Sequence, residues 1–556
     1  MPKSIILITN FYPPNTVGGA EIVAHRQAKL LARNGWQVVV LAGAVPTTDA
    51  PTGNISCEVY EEISVYRISI ASQSVDNNFR FPPAGRLLTS LIATYQPAWV
   101  HFHNPMGLGA DLISLAKSKN IPVAVTLHDG WGFCFKNTRL RNDGALCEDY
   151  EQCSLCQFTI PVGRLDLHIR MRRDFVAYNL AQADVLISPS NDLRSAYIRA
   201  GFGQNIEVIS NGIDIAAVQS RHRKKSDTVR FLCSAYLGEH KGLLVLLDAL
   251  ELLAREEDLH RSWHFAIAGH GHLEKVIRQQ IAKKGLGQFV SLLGRLDRTE
   301  LLSVMTDSDV VVLPSIWPEN EPVSMLEGIA SGAALVASDI GGIPSLVIDG
   351  VSGLLCAPGD PDRLMHALKK LIDNPNLIEQ MSVANIDRRT KLDEEVSFLQ
   401  LEAVFRGGAE HRGENASLVV ICGGIDFDQD TAVFVDLLAF MFGGRQVRLI
   451  WHEWAAEAAW QEASAFWWWS KVGGLNEIED AIRLGVPVAM REGSETANIK
   501  RIVPDLAVYR NANELLDILG EFYSSTLRAP DAPGQRALRL YDILREKHHF
   551  RMTSGD

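Results

Sequence analysis

Short runs of β-branched and other apolar residues alternate along the chain with segments whose apolar positions recur every three to four residues. The runs fall at Ser4 to Asn10, Gln37 to Leu41, Val65 to Ile70, Trp99 to His103, Val123 to Leu127, Val185 to Pro189 and Ile206 to Ser210. Unbroken apolar strands between amphipathic helices belong to parallel sheets covered on both faces. The rhythm restarts at Val229 to Cys233 and continues at Phe265 to Gly269, Phe289 to Leu293, Val310 to Pro314 and Ala334 to Ser338. Two doubly wound, Rossmann-like α/β domains are therefore predicted, meeting near residue 216. GGAEHRGENAS, Gly407 to Ser417, breaks the periodicity and reads as a linker. A third, smaller α/β unit follows, with strands predicted at Leu418 to Cys422, Val447 to Trp451, Phe466 to Trp469, Val486 to Met490 and Leu506 to Tyr509. The predicted division is thus 1–215, 216–406, a linker 407–417, and 418–556.

Length agrees, since 556 residues exceed what one hydrophobic core supports. Hydrophobic residues are 47% and charged residues 22%, a balance ordinary for a soluble globular protein. A net charge of -12 argues against a protein that must neutralise many phosphates, so a general nucleic-acid binder is excluded. The first apolar run is closed by Asn10 and two prolines, which marks a buried strand rather than a secretory leader. No run of about 18 apolar residues exists to span a bilayer, and a cytoplasmic location is expected. Cys134, Cys147, Cys153 and Cys156, four of eight cysteines, are spaced C-x12-C-x5-C-x2-C. In a reducing compartment such crowding fits structural zinc, with free thiols as the alternative.

Ligands of open parallel sheets bind in loops at the carboxyl ends of the strands. Gly18 and Gly19 follow the first strand and open a helix, where glycines let backbone amides approach a diphosphate at the positive helix end; an ordinary strand-to-helix turn is the competing reading. From Pro314 to Asp360 runs PSIWPENEPVSMLEGIASGAALVASDIGGIPSLVIDGVSGLLCAPGD. Glu319 leaves a buried strand and Glu327 lies eight positions on, so two carboxylates face one ligand region, able to accept hydrogen bonds from sugar and ribose hydroxyls. Ser324 and Glu327 also fit a plain capping box. His101 and His103, in VHFHNP, have two-residue spacing that suits a metal, but two ligands alone favour loop-shaping roles.

The Glu-x7-Glu spacing of Glu319 and Glu327 resembles the signature of retaining glycosyltransferases of family 4. The resemblance extends through Gly18 to Glu21, Asn211 to Asp214, Lys241-Gly242, the Gly269-His-Gly271 turn and Gly341 to Pro344, in order, over about 405 residues. It implies the GT-B fold, two Rossmann-like domains facing a cleft, and a nucleotide-sugar donor, UDP- or GDP-linked, bound mainly by the second domain. By the same resemblance Glu327 holds the ribose, Glu319 contacts the donor sugar and Lys241 neutralises the diphosphate, while amides near Gly18, Gly19 and Gly342, beside Gly341, complete the phosphate site. His128, in TLHDGW, occupies the position of a family histidine that hydrogen-bonds the donor sugar. No cofactor is required for catalysis on this reading, since fixed dipoles and a cation can stabilise the leaving group. The acceptor class implied is a glycan or a lipid-linked molecule.

One departure stands out. The family pattern places Gly-Arg ahead of the Lys-Gly pair, whereas AYLGEHKG carries Ala235 and Tyr236 there, leaving Arg295 or His240 as substitutes for the missing cation. Arg164, Arg170, Arg172 and Arg173, at helical spacing, form either a solvated basic face or one that rests on an anionic membrane surface. In the third unit, the segment from Gly473 echoes the donor segment with Asp480 opposite Glu327, Val472 opposite Glu319 and Gly485 aligned with Gly332, so it reads as a degenerate nucleotide-binding copy. Trp467, Trp468 and Trp469 suit core packing better than sugar stacking. Two other functions stay open: a sugar-nucleotide epimerase or hydrolase, and a non-catalytic binding protein descended from a transferase.

Overall fold

The computed structural model describes residues 3–407 apart from 16–17, 71–75, 149, 151–152, 163–164, 204–205 and 219–226, and beyond them 418–423, 447–451, 459, 463–468, 488–491 and 507–509. Every strand expected above is present. In the first sheet, strands Ile206–Val208, Val185–Ser188, Val123–Thr126, Trp99–Asn104, Ser4–Thr9, Gln37–Ala44 and Ile63–Ser69 lie side by side in that order and parallel. Successive residues of a strand face opposite sides, so Ile6 and Ile8 enter one core while Ile5 and Leu7 enter another. Ile55–Tyr60 adds an antiparallel edge strand that the sequence reading missed. It is largely exposed and polar at alternate positions, so it carries no buried apolar run to betray it.

The second sheet is all parallel, ordered Val290–Gly294, Ser262–Ala268, Thr228–Ser234, Val310–Leu313, Ala334–Ser338 and Gly353–Cys356. Val310 and Val312 face one core, Val311 and Leu313 the other. The chain passes between the sheets twice at one place. Ile213 donates to the Leu392 carbonyl at 2.8 Å and its own carbonyl accepts from Glu394 at 2.9 Å, so the two crossings run side by side. Gly212 sits there in the left-handed region, φ 64, where an added Cβ would stand 2.7 Å from Glu394 Cα.

The predicted end of the second domain at 406 needs correction. Helix Glu394–Gly407 returns to the first sheet, burying Phe398, Leu401 and Phe405 among Trp36, Trp99 and Val38, and Trp99 Nε1 donates to the Phe405 carbonyl at 3.1 Å. Its apolar stripe has nowhere else to go: the open face of the first sheet is what it fits.

Five short strands form a third parallel sheet, ordered Val447–Trp451, Leu418–Gly423, Ala463–Trp468, Val488–Arg491 and Ala507–Tyr509. Trp467 is fully buried, as expected of a core residue. Asp480, Val472, Gly485 and Trp469 lie outside the described residues. Helix Ile169–Ala181 joins this sheet to the first domain, and one continuous core runs from Phe175 and Val176 to Ile450 and Trp451. That helix overturns the basic-face expectation. Arg170, Arg172 and Arg173 are buried: Arg170 pairs with Asp174 at 3.1 Å, Arg172 donates to the Trp131 carbonyl at 2.8 Å, and Arg173 donates to the carbonyls of Tyr150 and Ala200 at 2.7 and 3.2 Å. Asp174 accepts from the Leu449 amide at 3.1 Å. The helix is covered by the third sheet, so these three arginines meet neither solvent nor lipid; Arg164 lies outside the described residues. Among the described residues no helix is long and apolar enough to cross a membrane.

Candidate active site

Arg26 of the first domain reaches Glu327 of the second, and Asn320, next to Glu319, reaches the His128 carbonyl, so loops at the carboxyl ends of the two larger sheets meet along one seam, the crevice that carries the predicted acidic pair and lysine. Lys241 ends a short 3-10 turn, Glu239–Lys241, and is followed by Gly242 at φ 68. A Cβ on Gly242 would stand 1.9 Å from the Pro314 carbonyl oxygen, so only glycine lets the lysine loop approach the strand end that carries Glu319. The result is a Lys241 Nζ to Glu319 Oε1 contact of 2.6 Å, with Ser315 Oγ donating to the same oxygen at 2.6 Å and the Trp317 ring 5.1 Å from the ammonium. Burial alone would raise the Glu319 carboxyl, but the Lys241 ammonium and these hydrogen bonds outweigh it and hold the group below the ordinary carboxylate value.

Glu327 lies in helix Val323–Ser331, only 4% exposed. The capping-box alternative fails, because the helix is capped by Pro322 without any side-chain bond. Glu327 Oε1 instead receives Arg26 at 3.2 Å, from the first domain, and Arg298 at 3.0 Å, from the second. Neither arginine was singled out in the sequence. Arg298 lies three residues past Arg295 in GRLDRTE, and Arg26 lies about two helical turns on from Gly19, but their shared partner Glu327 is 29 positions from the first and 301 from the second, across the domains.

The glycines serve chiefly to let loops approach. Gly269 at φ 143 and Gly271 pack against the 235–237 segment, where added Cβ atoms would stand 1.9 Å from the Ala235 oxygen and 2.4 Å from the Leu237 oxygen. Gly341 and Gly342 close on Glu319 and Asn320 in the same way. Two of the three amides expected to cradle phosphate are engaged within the protein. Gly18 donates to Glu21 Oε2 at 2.9 Å and Gly342 to the Glu319 carbonyl at 2.6 Å, so either must release its partner before it can serve a ligand. Gly19 lies where the domains touch, its Cβ position 3.7 Å from Val323.

His128 is brought to the same crevice. Its carbonyl accepts from Asn320 Nδ2 at 2.5 Å, across the domains, and its Nε2 shares a hydrogen bond of 3.1 Å with His103 Nδ1. His101 Nε2 in turn lies 2.8 Å from Thr126 Oγ1. Burial keeps all three imidazoles neutral: it holds His101 at about 3 and His128 at about 4, and with the neighbouring rings it holds His103 well below the usual value. Where the family arginine is missing, Tyr236 is ringed by histidines. His240 stacks beside it, its centroid 6.1 Å away, and His272 Nδ1 lies 3.3 Å from its hydroxyl. His240 also packs on Trp317 at 4.5 Å, next to Lys241, whereas Arg298 rather than Arg295 is the arginine that reaches an acid of the site.

The zinc expectation is not met. Among the described residues no group of three or more His, Cys, Asp or Glu side chains is arranged to hold a metal. Cys134, Cys147 and Cys153 pack as small apolar side chains against the first core, and Cys156 is half-buried. The Cys153 thiol donates to the Tyr150 carbonyl at 3.4 Å, and burial raises its pKa.

Comparisons with known proteins bear on this arrangement. Residues 17–217 match the Glycosyltransferase Family 4 model and residues 214–388 match Glycosyl transferases group 1. A glycogen synthase of Mycobacterium tuberculosis is 28% identical over 409 residues, covering 69% of this chain and 90% of the relative. Sucrose-phosphate synthase from Thermosynechococcus elongatus superposes with a TM-score of 0.57 at 19% identity, over 73% of this chain and 98% of the other. The Anabaena protein HepE, solved with UDP and glucose, gives 0.54 at 17% identity, over 73% of this chain and 100% of the other. The fold common to these structures is GT-B. Neither family model reaches the third sheet.

Proposed function

Because this chain belongs to glycosyltransferase family 4, we propose that it transfers a hexosyl group from a UDP- or GDP-sugar to a glycan or lipid-linked acceptor, with retention at the anomeric carbon. The observation that supports this reading is the pairing along the crevice: Glu319 meets Lys241, and Glu327 meets Arg298 and, from the opposite domain, Arg26. In the proposed complex Glu327 accepts the ribose hydroxyls, and its two arginines keep it aimed. Glu319 accepts from hydroxyls of the donor sugar, and His128 meets the same sugar from the first domain. Lys241 swings from Glu319 toward the diphosphate, where negative charge grows as the bond from the anomeric carbon to the phosphate oxygen breaks. The acceptor oxygen bonds to that carbon from the face the diphosphate leaves, and its proton passes to a leaving phosphate oxygen. Stabilisation of the leaving group is then supplied by side chains of this protein, and a cytoplasmic setting suits such a donor.

The third sheet carries no part of this chemistry on the same reading. Its place against helix Ile169–Ala181 supports a bracing role behind the acceptor-side domain. The overall reading is tested by incubating the protein with a panel of nucleotide sugars and following free nucleoside diphosphate. Release that requires an acceptor, with a product whose anomeric configuration matches the donor by NMR, is expected. Release without acceptor would favour a hydrolase, isomerised donor an epimerase, and no binding to any donor a non-catalytic descendant.

A further inference from the structure

Three histidines form a row beneath the crevice. On strand Trp99–Asn104 the rings of His101 and His103 lie 4.4 Å apart, and the ring of His128, from the loop after strand Val123–Thr126, lies 5.3 Å from His103 and within 24° of parallel to it. His101 and His103 are buried, while His128 is the partly exposed member. Among the described residues no hydrogen-bond partner is met by His103 Nε2 or His101 Nδ1.

A neutral imidazole carries one proton, and the bond made by one nitrogen decides the state of the other. A proton on His103 Nε2 would be a buried donor without an acceptor, a rarer arrangement than an unshared lone pair. The proton therefore sits on Nδ1 and is donated to His128 Nε2. Since that nitrogen accepts, His128 carries its own proton on Nδ1. The same reasoning puts the His101 proton on Nε2, donated to Thr126 Oγ1, and leaves His101 without a bond that could pull His103 the other way.

We propose that His103 is a positioning residue that fixes His128 in its Nδ1–H form, so that His128 offers the donor sugar a hydrogen-bond donor rather than an acceptor. This rests on the placement of His128 against the sugar argued above. His103 touches no ligand. Its effect is to remove the choice between two tautomers and two ring orientations that an unanchored His128 would have, so the sugar meets one preset partner.

Calorimetric titration tests this with whichever of UDP-glucose and GDP-mannose the wild-type protein binds, alongside the matching bare UDP or GDP. In His103→Leu the affinity for the nucleotide sugar is expected to fall about tenfold, the scale of one lost hydrogen bond, while bare nucleotide binds as before. His103→Asn, whose amide can put an N–H where Nδ1–H stood, is expected to return to within about threefold of wild type. A role in packing alone would give the opposite order, since Leu fills a buried apolar site better than Asn. Thermal unfolding of both variants identifies any general loss of fold. Wild-type affinity in His103→Leu, an Asn variant no better than the Leu variant, or equal losses for sugar nucleotide and bare nucleotide would each overturn the proposal. A wild-type protein that binds neither nucleotide sugar would instead remove the donor reading itself, and this proposal with it.

Discussion

The crevice carboxylates and the charges of helix Ile169–Ala181 are buried to a similar depth, yet their partners differ in kind. Glu319 and Glu327 meet the ends of long side chains, Lys241, Arg26 and Arg298, two of them from the second domain and one from the first. Arg172 and Arg173 donate to main-chain carbonyls, and Asp174 accepts from the Leu449 amide. A lysine or arginine head can swing to a phosphate while its backbone stays in place, whereas a main-chain partner leaves only if the chain around it moves. Buried charge of the first kind, at a domain boundary, suits a ligand; buried charge of the second kind holds main chain in place, and at Asp174 it ties the helix to the third sheet.

The contrast breaks most visibly at Lys241. Lys241→Met is expected to lower turnover by about 10²–10³-fold, as loss of a preorganised cation at a developing anion does. Steady-state rates with the active donor check this, and a loss below about threefold would move the pair into the structural class. Asp174→Leu probes the other side. It removes the buried acceptor that Arg170 and the Leu449 amide share, so a stability loss of about 3–5 kcal/mol is expected, with turnover per folded molecule unchanged. Denaturant midpoints set against activity at low temperature separate the two effects.

Sequence alone revealed most strands of the three sheets, though not Ile55–Tyr60 or Gly353–Cys356, and it singled out Glu319, Glu327 and Lys241, because apolar runs and loop motifs are local signals. It did not reveal what covers a face. The arginines at 170, 172 and 173 carry the pattern of a basic helix, and their cover is a sheet whose contact residue, Leu449, lies 275 positions beyond Asp174. Arg26 and Arg298 escaped notice for the same reason, since only the fold brings them to Glu327. The cysteines misled in the opposite direction: their spacing suits a metal, but the loop turns three of them into the core.

A smaller effect refines the boundary between the classes. Glu321 lies between the two site carboxylates in sequence and accepts from Ser210 Oγ at 2.7 Å and the Asn211 amide at 2.5 Å, where the chain crosses between domains. Burial pushes its carboxyl up from 4.5 to about 7, against the pull of those hydrogen bonds. The folded protein therefore holds this proton more tightly than the unfolded chain. The contribution is complete below about 4.5 and is lost as pH rises through about 7. Glu321→Gln, which can accept from Asn211 and donate to Ser210, removes that dependence. Its unfolding temperature is expected to exceed wild type by about 1–3 °C at pH 8 and not at pH 5, in melts run at both.

The division of labour between the paired acids gives the most direct measurement: the affinities of Glu327→Gln and Glu319→Gln for a nucleotide sugar and for its bare nucleotide, set against wild type. The account predicts that Glu327→Gln weakens both ligands by about tenfold or more, while Glu319→Gln weakens only the nucleotide sugar. Wild-type affinity for both ligands in both variants would contradict it.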